Sequence, residues 1–255
     1  MILMLATVAL PIYNNKDICW LTLEGLIRQE NAGEWELIAC EEQNGNHCGI
    51  ELFEEYKDRL FKAGCKRIVY LPVIEGRFFL SDKWKYIAEF AKGEAFLLQG
   101  SDDYPDPRRI AGANKAIEEG YNWYHTPIFY CYLRDRGVYN YHDDNITMCV
   151  GIDKGTKTEY VKKLNYQQVK KGVDGWMLKN VMGIVGDNFK CKHVKYDEYR
   201  GISTTGFNTI SNHRELHIYG TMYPYSKSEK ELQDILPLEV AQKLKNYESA
   251  ETKSY

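Results

Sequence analysis

The chain has 255 residues, is 44% hydrophobic and carries a formal net charge of −3. That length can bury a real core without disulfide staples. The mildly acidic balance excludes a strong basic field of the kind that draws in nucleic acid. Seven cysteines lie scattered with no CxxC pair, which reads as buried or free thiols in a reducing, cytoplasmic compartment. Met1 to Leu10 is apolar but too short to span a bilayer, and it lacks a signal peptide's basic start and cleavage site. The expectation is therefore no transmembrane segment, and at most a peripheral membrane attachment.

In chain order, Leu3 to Leu10 predicts a buried strand stopped by Pro11, followed by a Tyr13-Asn14-Asn15 loop. Asp17 is placed to cap a helix with Cys19, Leu23, Leu26 and Ile27 at helical spacing. Trp35 to Cys40 predicts a second strand, Leu52 to Ala63 a helix and Arg67 to Leu71 a third strand. Trp84, Ile87, Ala88 and Ala91 form the next helical face, closed by Gly93, and Ala95 to Leu98 is a fourth strand. This β-α-β-α-β-α-β alternation predicts a parallel sheet with right-handed crossovers.

The fourth strand runs straight into Ser101-Asp102-Asp103-Tyr104-Pro105-Asp106-Pro107, and a helix is expected from Pro107 to Glu119. In open α/β sheets ligands bind just beyond the carboxyl ends of strands. Two adjacent carboxylates delivered there suit a hard divalent cation that also holds phosphate oxygens. After Gly120 the pattern changes. Trp123 to Leu133, Gly137 to Tyr141 and Ile146 to Val150 read as strands, and Gln167 to Val181 as helix. Arg200 to Asn212 reads as a functional loop. Ser228 and Glu231 have capping-box spacing before a helical stripe of Leu232, Leu236, Val240 and Leu244 that Pro237 interrupts, and the chain frays from Glu248.

Two blocks carry a resemblance. Thr7-Val8-Ala9-Leu10-Pro11-Ile12-Tyr13-Asn14 resembles the opening strand and Pro-x-Tyr-Asn of family 2 glycosyltransferases with the GT-A fold. Gly93-Glu94-Ala95-Phe96-Leu97-Leu98, then Ser101-Asp102-Asp103 and Pro107-Arg108-Arg109-Ile110, resembles that family's DxDD block and the helix after it. The chain departs from the pattern in three places. Glu41-Glu42 stands for the usual Asp-Asp, Gly100 for the first Asp of DxDD, and Val173-Asp174 for the Glu-Asp before the acceptor-side helix.

The resemblance implies a GT-A-like α/β fold with a mostly parallel sheet flanked by helices. A glycosyltransferase domain would span 1–222, its nucleotide-binding half 1–105 and its acceptor half 106–222, with a helical extension at 223–255. It implies transfer of a sugar from a nucleotide-sugar donor, a UDP-sugar foremost, to a hydroxyl of a glycan or glycoconjugate acceptor, with inversion and with Mn²⁺ or Mg²⁺ as cofactor. Pro11 and Tyr13 would wall the base, with Tyr13 stacking on it, and Glu41 would accept its ring N–H. Asp102 would hold the ribose, Asp103 the metal, and Arg77 and Arg214 the diphosphate. His213 or His193 would complete the metal shell, and Asp174 would be the general base. A pyrophosphorylase lacks support because Pro11 to Asn15 contains no phosphate-cradling glycine. A degenerate sugar-nucleotide-binding module and a transferase acting on modified DNA remain as rivals, and a homodimer stays open.

Overall fold

The computed structural model describes residues 6–43, 46–73, 78–133, 137–142, 153–165, 169, 172–205 and 225–252. Its first half alternates β1 (Ala6–Ile12), α1 (Cys19–Leu26), β2 (Trp35–Glu42), α2 (Gly49–Lys62), β3 (Cys65–Val73), α3 (Leu80–Phe90) and β4 (Ala95–Leu98). β1, β2 and β4 are buried along their whole length. Parallel strands covered on both faces read as continuous apolar runs, and this is why the sequence betrays them. The second half contributes β5 (Asp103–Tyr104), α4 (Arg109–Glu118), β6 (Trp123–His125), β7 (Ile128–Leu133), β8 (Gly137–His142), β9 (Lys154–Lys157), α5 (Thr158–Lys163) and α6 (Val173–Val185). β10 (Cys191–His193), β11 (Ile202–Thr205), β12 (Tyr225–Lys227) and α7 (Leu238–Thr252) complete the described elements.

The main sheet has the order β10-β6-β9-β4-β1-β2-β3. β1 pairs in parallel with both β2 and β4, and only β9 runs against its neighbours β4 and β6. From β1 the chain steps outward to β2 and β3, then returns to the other side of β1 as β4. Right-handed crossovers therefore place α1 and α2 on one face and α3 on the other. The two apolar cores agree. α1, α2 and α4 pack with the C-terminal Leu236, Val240 and Leu244 on one face, while α3, α5 and α6 cover the opposite face. The reversal between β1 and β4 is a topological switch point, where an open α/β sheet leaves a crevice at its carboxyl edge. A smaller sheet, β12-β8-β7-β11-β5, stands beside it.

Several expectations need correction. β1 does not stop at Pro11 but continues to Ile12. The Ala9 carbonyl points toward β4, and residue 11 shares that side, where the β1–β4 ladder has already ended. The donor that proline lacks is therefore not needed there. Asp17 is not the cap of α1. The helix starts at Cys19 without a side-chain cap, and the Asn15 carbonyl accepts from Ile18 and Cys19. Asp17 instead accepts from Asn46 Nδ2. Part of the expected 200–212 loop is strand β11, and β9, α5 and β10 were not anticipated. Glu231, not Ser228, caps the turn at Leu232–Asp234. α7 continues through the expected fraying point at Glu248 to Thr252. The expected strand at 146–150 lies outside the described residues.

Candidate active site

The loops leaving β1 and β4 meet at the switch point. Asn14 adopts a left-handed backbone (φ 54°), which asparagine tolerates better than most residues. Asn15 is buried; its Oδ1 accepts from the Ser101 hydroxyl at 2.6 Å, and its Nδ2 donates to the Tyr13 and Asn14 carbonyls at 3.2 Å. The first loop is thus tied to the carboxylate turn. Beneath Tyr13 lies Lys83 of α3, only 3% exposed. Its ammonium donates to the Ile12 carbonyl (2.8 Å), pairs with Glu42 (2.7 Å) and stands 5.2 Å from the centre of the Tyr13 ring. Tyr13 itself is half-buried, with a cation on one side of its ring.

The turn of Gly100 to Asp103 is held from three directions. From α1, the Thr22 hydroxyl lies 3.0 Å from the Gly100 carbonyl and 2.8 Å from that of Asp103. Gln99 Nε2 donates to the same two carbonyls. From β11, Thr204 donates to the Asp102 carbonyl (2.7 Å), and Ser203 pairs with Asp103 across the β5–β11 ladder. The buried Arg109 of α4 donates to Gln99 and, at 2.5 Å, to the Leu98 carbonyl. Gly100 sits where the turn leaves no room for a side chain. A Cβ there would lie 2.2 Å from Asp103 Oδ2 and 3.4 Å from Asp102 Oδ1, so the space is taken by the carboxylates themselves.

Helix α6 opens at Gly172, which is left-handed (φ 64°), and Asp174 lies in its first turn. Asp174 Oδ2 accepts from Lys154 of β9 in an ion pair whose lysine is largely buried. Burial raises the Asp103 carboxyl above its ordinary value, against a hydrogen bond from Ser203 and the charges of Lys154 and Arg109, while Asp174 pushes it further up. Asp103, Lys154 and Asp174 therefore occupy one electrostatic neighbourhood at the sheet's carboxyl edge.

Other predicted residues are placed as follows. Pro11 is buried within β1 beside Cys40 of β2. Glu41 is fully buried at the end of β2, and its carboxylate accepts from the Cys48 and Gly49 amides (2.6 and 3.1 Å) and the Tyr70 hydroxyl (2.7 Å). It holds the N-terminus of α2, which redirects the expectation that it meets a base. His193 is on β10, packed against His125, with ring centroids 4.7 Å apart. Arg77, His213 and Arg214 lie outside the described residues. Lys83 and Lys154 escaped sequence reading. Lys83 left one trace, a charge directly beside the apolar stripe of α3; Lys154 left none, since Lys-Gly-Thr-Lys reads as loop.

The residues fit a divalent cation of the hard class. Asp102 and Asp103 offer oxygen ligands at a strand end, and burial makes the Asp103 charge costly, a cost that a bound cation would lower.

No protein-family model matches the chain, and no curated protein matches it in sequence. Solved structures do match in shape. S. aureus TarS 1–349 in complex with UDP aligns at TM-score 0.61 and 15% identity over 80% of this chain and 61% of that one. The same protein with UDP-GlcNAc aligns at TM-score 0.56 and 14% identity over 80% of this chain and 59% of that one. The mannosyltransferase PcManGT from Pyrobaculum calidifontis, in complex with GDP-Man and Mn²⁺, aligns at TM-score 0.58 and 8% identity over 84% of this chain and 59% of that one. The chain thus spans only about three-fifths of the length of these structures. At such identities the likeness establishes the fold: a mostly parallel α/β sheet flanked by helices, as in GT-A glycosyltransferases. No helix among the described residues is long and apolar enough to cross a membrane.

Proposed function

We propose that the chain is a glycosyltransferase that moves a sugar from a nucleotide-sugar donor, a UDP-sugar foremost, to an acceptor hydroxyl with inversion. The observation that carries this reading is the convergence of Asp103, Lys154 and Asp174 at the switch point of a GT-A sheet. The structures similar in shape that hold UDP, UDP-GlcNAc or GDP-Man with Mn²⁺ support it.

In this reading Tyr13 stacks on the base and Asp102 takes the ribose hydroxyls. Glu41 acts through α2, whose N-terminus it fixes. Arg77, Arg214 and His213 complete the diphosphate and metal side. Asp103, with Asp102 beside it, would hold Mn²⁺ or Mg²⁺, which when bound neutralises charge on the leaving diphosphate. Asp174 removes the acceptor proton. Lys154 occupies Oδ2, so the task falls to Oδ1, and the pairing fixes the direction in which that oxygen points. The acceptor oxygen, deprotonated as it attacks the anomeric carbon, displaces the nucleoside diphosphate in line. The catalytic domain is proposed to cover 1–222, with 223–255 as an extension docked on α1 through Leu236, Val240 and Leu244.

Calorimetry with UDP, with and without Mn²⁺, tests the reading. Metal-dependent binding that is lost in Asp103→Asn, and transfer lost but UDP binding kept in Asp174→Asn, are expected. Absence of binding to UDP, GDP and dTDP by folded protein would overturn it. One alternative has an observation behind it: Lys154 already offsets the Asp103 charge, so a donor site independent of metal is the second reading. UDP affinity unchanged by a chelator would select it.

A further inference from the structure

At the β10 edge of the main sheet, next to the strand that carries Lys154, three soft or borderline ligands share one face. His125 on β6 and His193 on β10 are direct partners in the parallel ladder. Cys191, two residues earlier on β10, points to the same face by the period of the strand. The ligand atoms of the three side chains all lie within 4.8 Å of one another. His125 is completely buried, yet among the described residues neither ring nitrogen has a hydrogen-bond partner. A buried imidazole with both nitrogens unanswered is costly, and proteins rarely leave one so without a reason. Cys191 is half-buried and in no disulfide.

We propose that His125, Cys191 and His193 form a zinc site that clamps the edge strand β10 to β6. Two imidazole nitrogens and one thiolate are the ligand chemistry of zinc, and a water completes the tetrahedron. The same set is poor for Mn²⁺ or Mg²⁺, which prefer oxygen, so this site is separate in chemistry from the one at Asp103. Bond lengths of about 2.0–2.3 Å put tetrahedral ligands about 3.3–3.6 Å apart, so the side chains must draw in by about an ångström. Side-chain rotation on the half-buried edge strand allows that. Binding forms the S–Zn bond as the Cys191 S–H proton leaves to solvent. The Val194 amide donates to the His125 carbonyl at 2.9 Å, so the two strands are already aligned for the clamp. Lys154, the direct partner of His125 in the β6–β9 ladder, is the nearby positive charge, and Asp174 is paired with it. β10 is an edge strand of three residues, a length at which pairing alone holds weakly. A cross-strand ion would secure it. The inference does not depend on the glycosyltransferase reading.

The test is cobalt titration of the full chain, purified without a histidine tag, followed by zinc competition and zinc melting curves. One equivalent of Co²⁺ should produce a thiolate-to-cobalt charge-transfer band that Zn²⁺ abolishes and excess Mn²⁺ does not, and Zn²⁺ should raise Tm. Cys191→Ser should lose the band, and His193→Gln should weaken zinc at least 10-fold, both with native circular dichroism. Asp103→Asn should leave the band intact. A band that persists in Cys191→Ser, or no band and no zinc-dependent Tm shift in the native chain, would overturn the proposal. His125→Gln is the less informative variant because that residue is fully buried; His193→Gln, on the half-buried edge, keeps the test decisive.

Discussion

Lys154 of β9 and Asp174 of α6 are ion-paired across the carboxyl edge of the sheet, and the same lysine lowers the cost of charge on Asp103. The lysine is 12% exposed and the aspartate 35%, so the pair is anchored on the protein side and open on the other. If Lys154 aims the base, Lys154→Met lowers kcat by about 10–100-fold, within the range a positioned base contributes, and Lys154→Arg recovers part of it. Steady-state kinetics of nucleotide release measure this, with KM for the donor followed in parallel. An unchanged kcat in Lys154→Met would remove the positioning role.

Gly100 gives a second prediction. Because its Cβ would lie 2.2 Å from Asp103 Oδ2, Gly100→Ala displaces that carboxylate from its hydrogen bond with Ser203. Gly100→Asp does so more strongly and adds a third negative charge to Asp102 and Asp103. Both variants should fold, since the clash is with the end of a side chain. Metal-dependent UDP binding should weaken by about 10-fold or more, a loss of about 1.4 kcal/mol. Calorimetry that finds Gly100→Asp binding more tightly would show that the turn has room to spare.

Glu41 separates two roles. Its carboxylate satisfies the Cys48 and Gly49 amides, and an amide in its place would set an N–H against an N–H donor. Glu41→Gln should therefore cost about 1–3 kcal/mol of stability, read by chemical denaturation. The ratio of UDP to CDP affinity should stay the same. A collapse of that ratio without loss of stability would return Glu41 to direct base recognition.

The fourth prediction concerns acid. Glu36 is fully buried in β2 and accepts from Thr7 (2.7 Å), the Lys92 and Gly93 amides (2.6 and 3.1 Å) and Arg67 (2.8 Å). Burial opposes its charge, but the hydrogen bonds from Thr7, Lys92, Arg67 and Gly93 win and hold the carboxyl below its ordinary 4.5. The unfolded chain then binds this proton more readily than the folded one. The stabilisation is complete above about pH 4.5 and is lost as pH falls through the depressed folded value. Glu36→Gln should cost about 3 kcal/mol at neutral pH and flatten the acid limb of a stability-versus-pH curve. An acid limb of unchanged steepness would assign that dependence to other carboxylates.

The first half of the fold was legible because β1, β2 and β4 are buried along their whole length and α2 and α3 along one face. Leu97 and Leu37 have no choice of side, and the apolar runs say so. The second half was less legible for the opposite reason. β9 is a strand because β4 and β6 bond to it from both sides, not because Lys154-Gly155-Thr156-Lys157 prefers to be one. Cys191-Lys192-His193 is similar. At the site, Asp102, Asp103 and Asp174 stood out because charges at element ends break a pattern. Lys154 could not, since its meaning depends on a strand pairing invisible in one dimension. The contacts of Glu41 with the Cys48 and Gly49 amides were not legible, because a carboxylate at a strand end looks the same whether it faces a ligand or the amides of the next helix.

Asp103 belongs to two structures at once. Its backbone ends the turn that leaves the parallel sheet, and it is also the first residue of β5, paired with Ser203 in the smaller sheet. The two halves of the molecule thus share a rivet at the point assigned to the donor's cation. A pull on that rivet reaches β11, and through it β7, whose register with β11 runs from Tyr130 to Leu133. A ligand that tightens Asp103 would therefore be felt in the smaller sheet as well as in the main one.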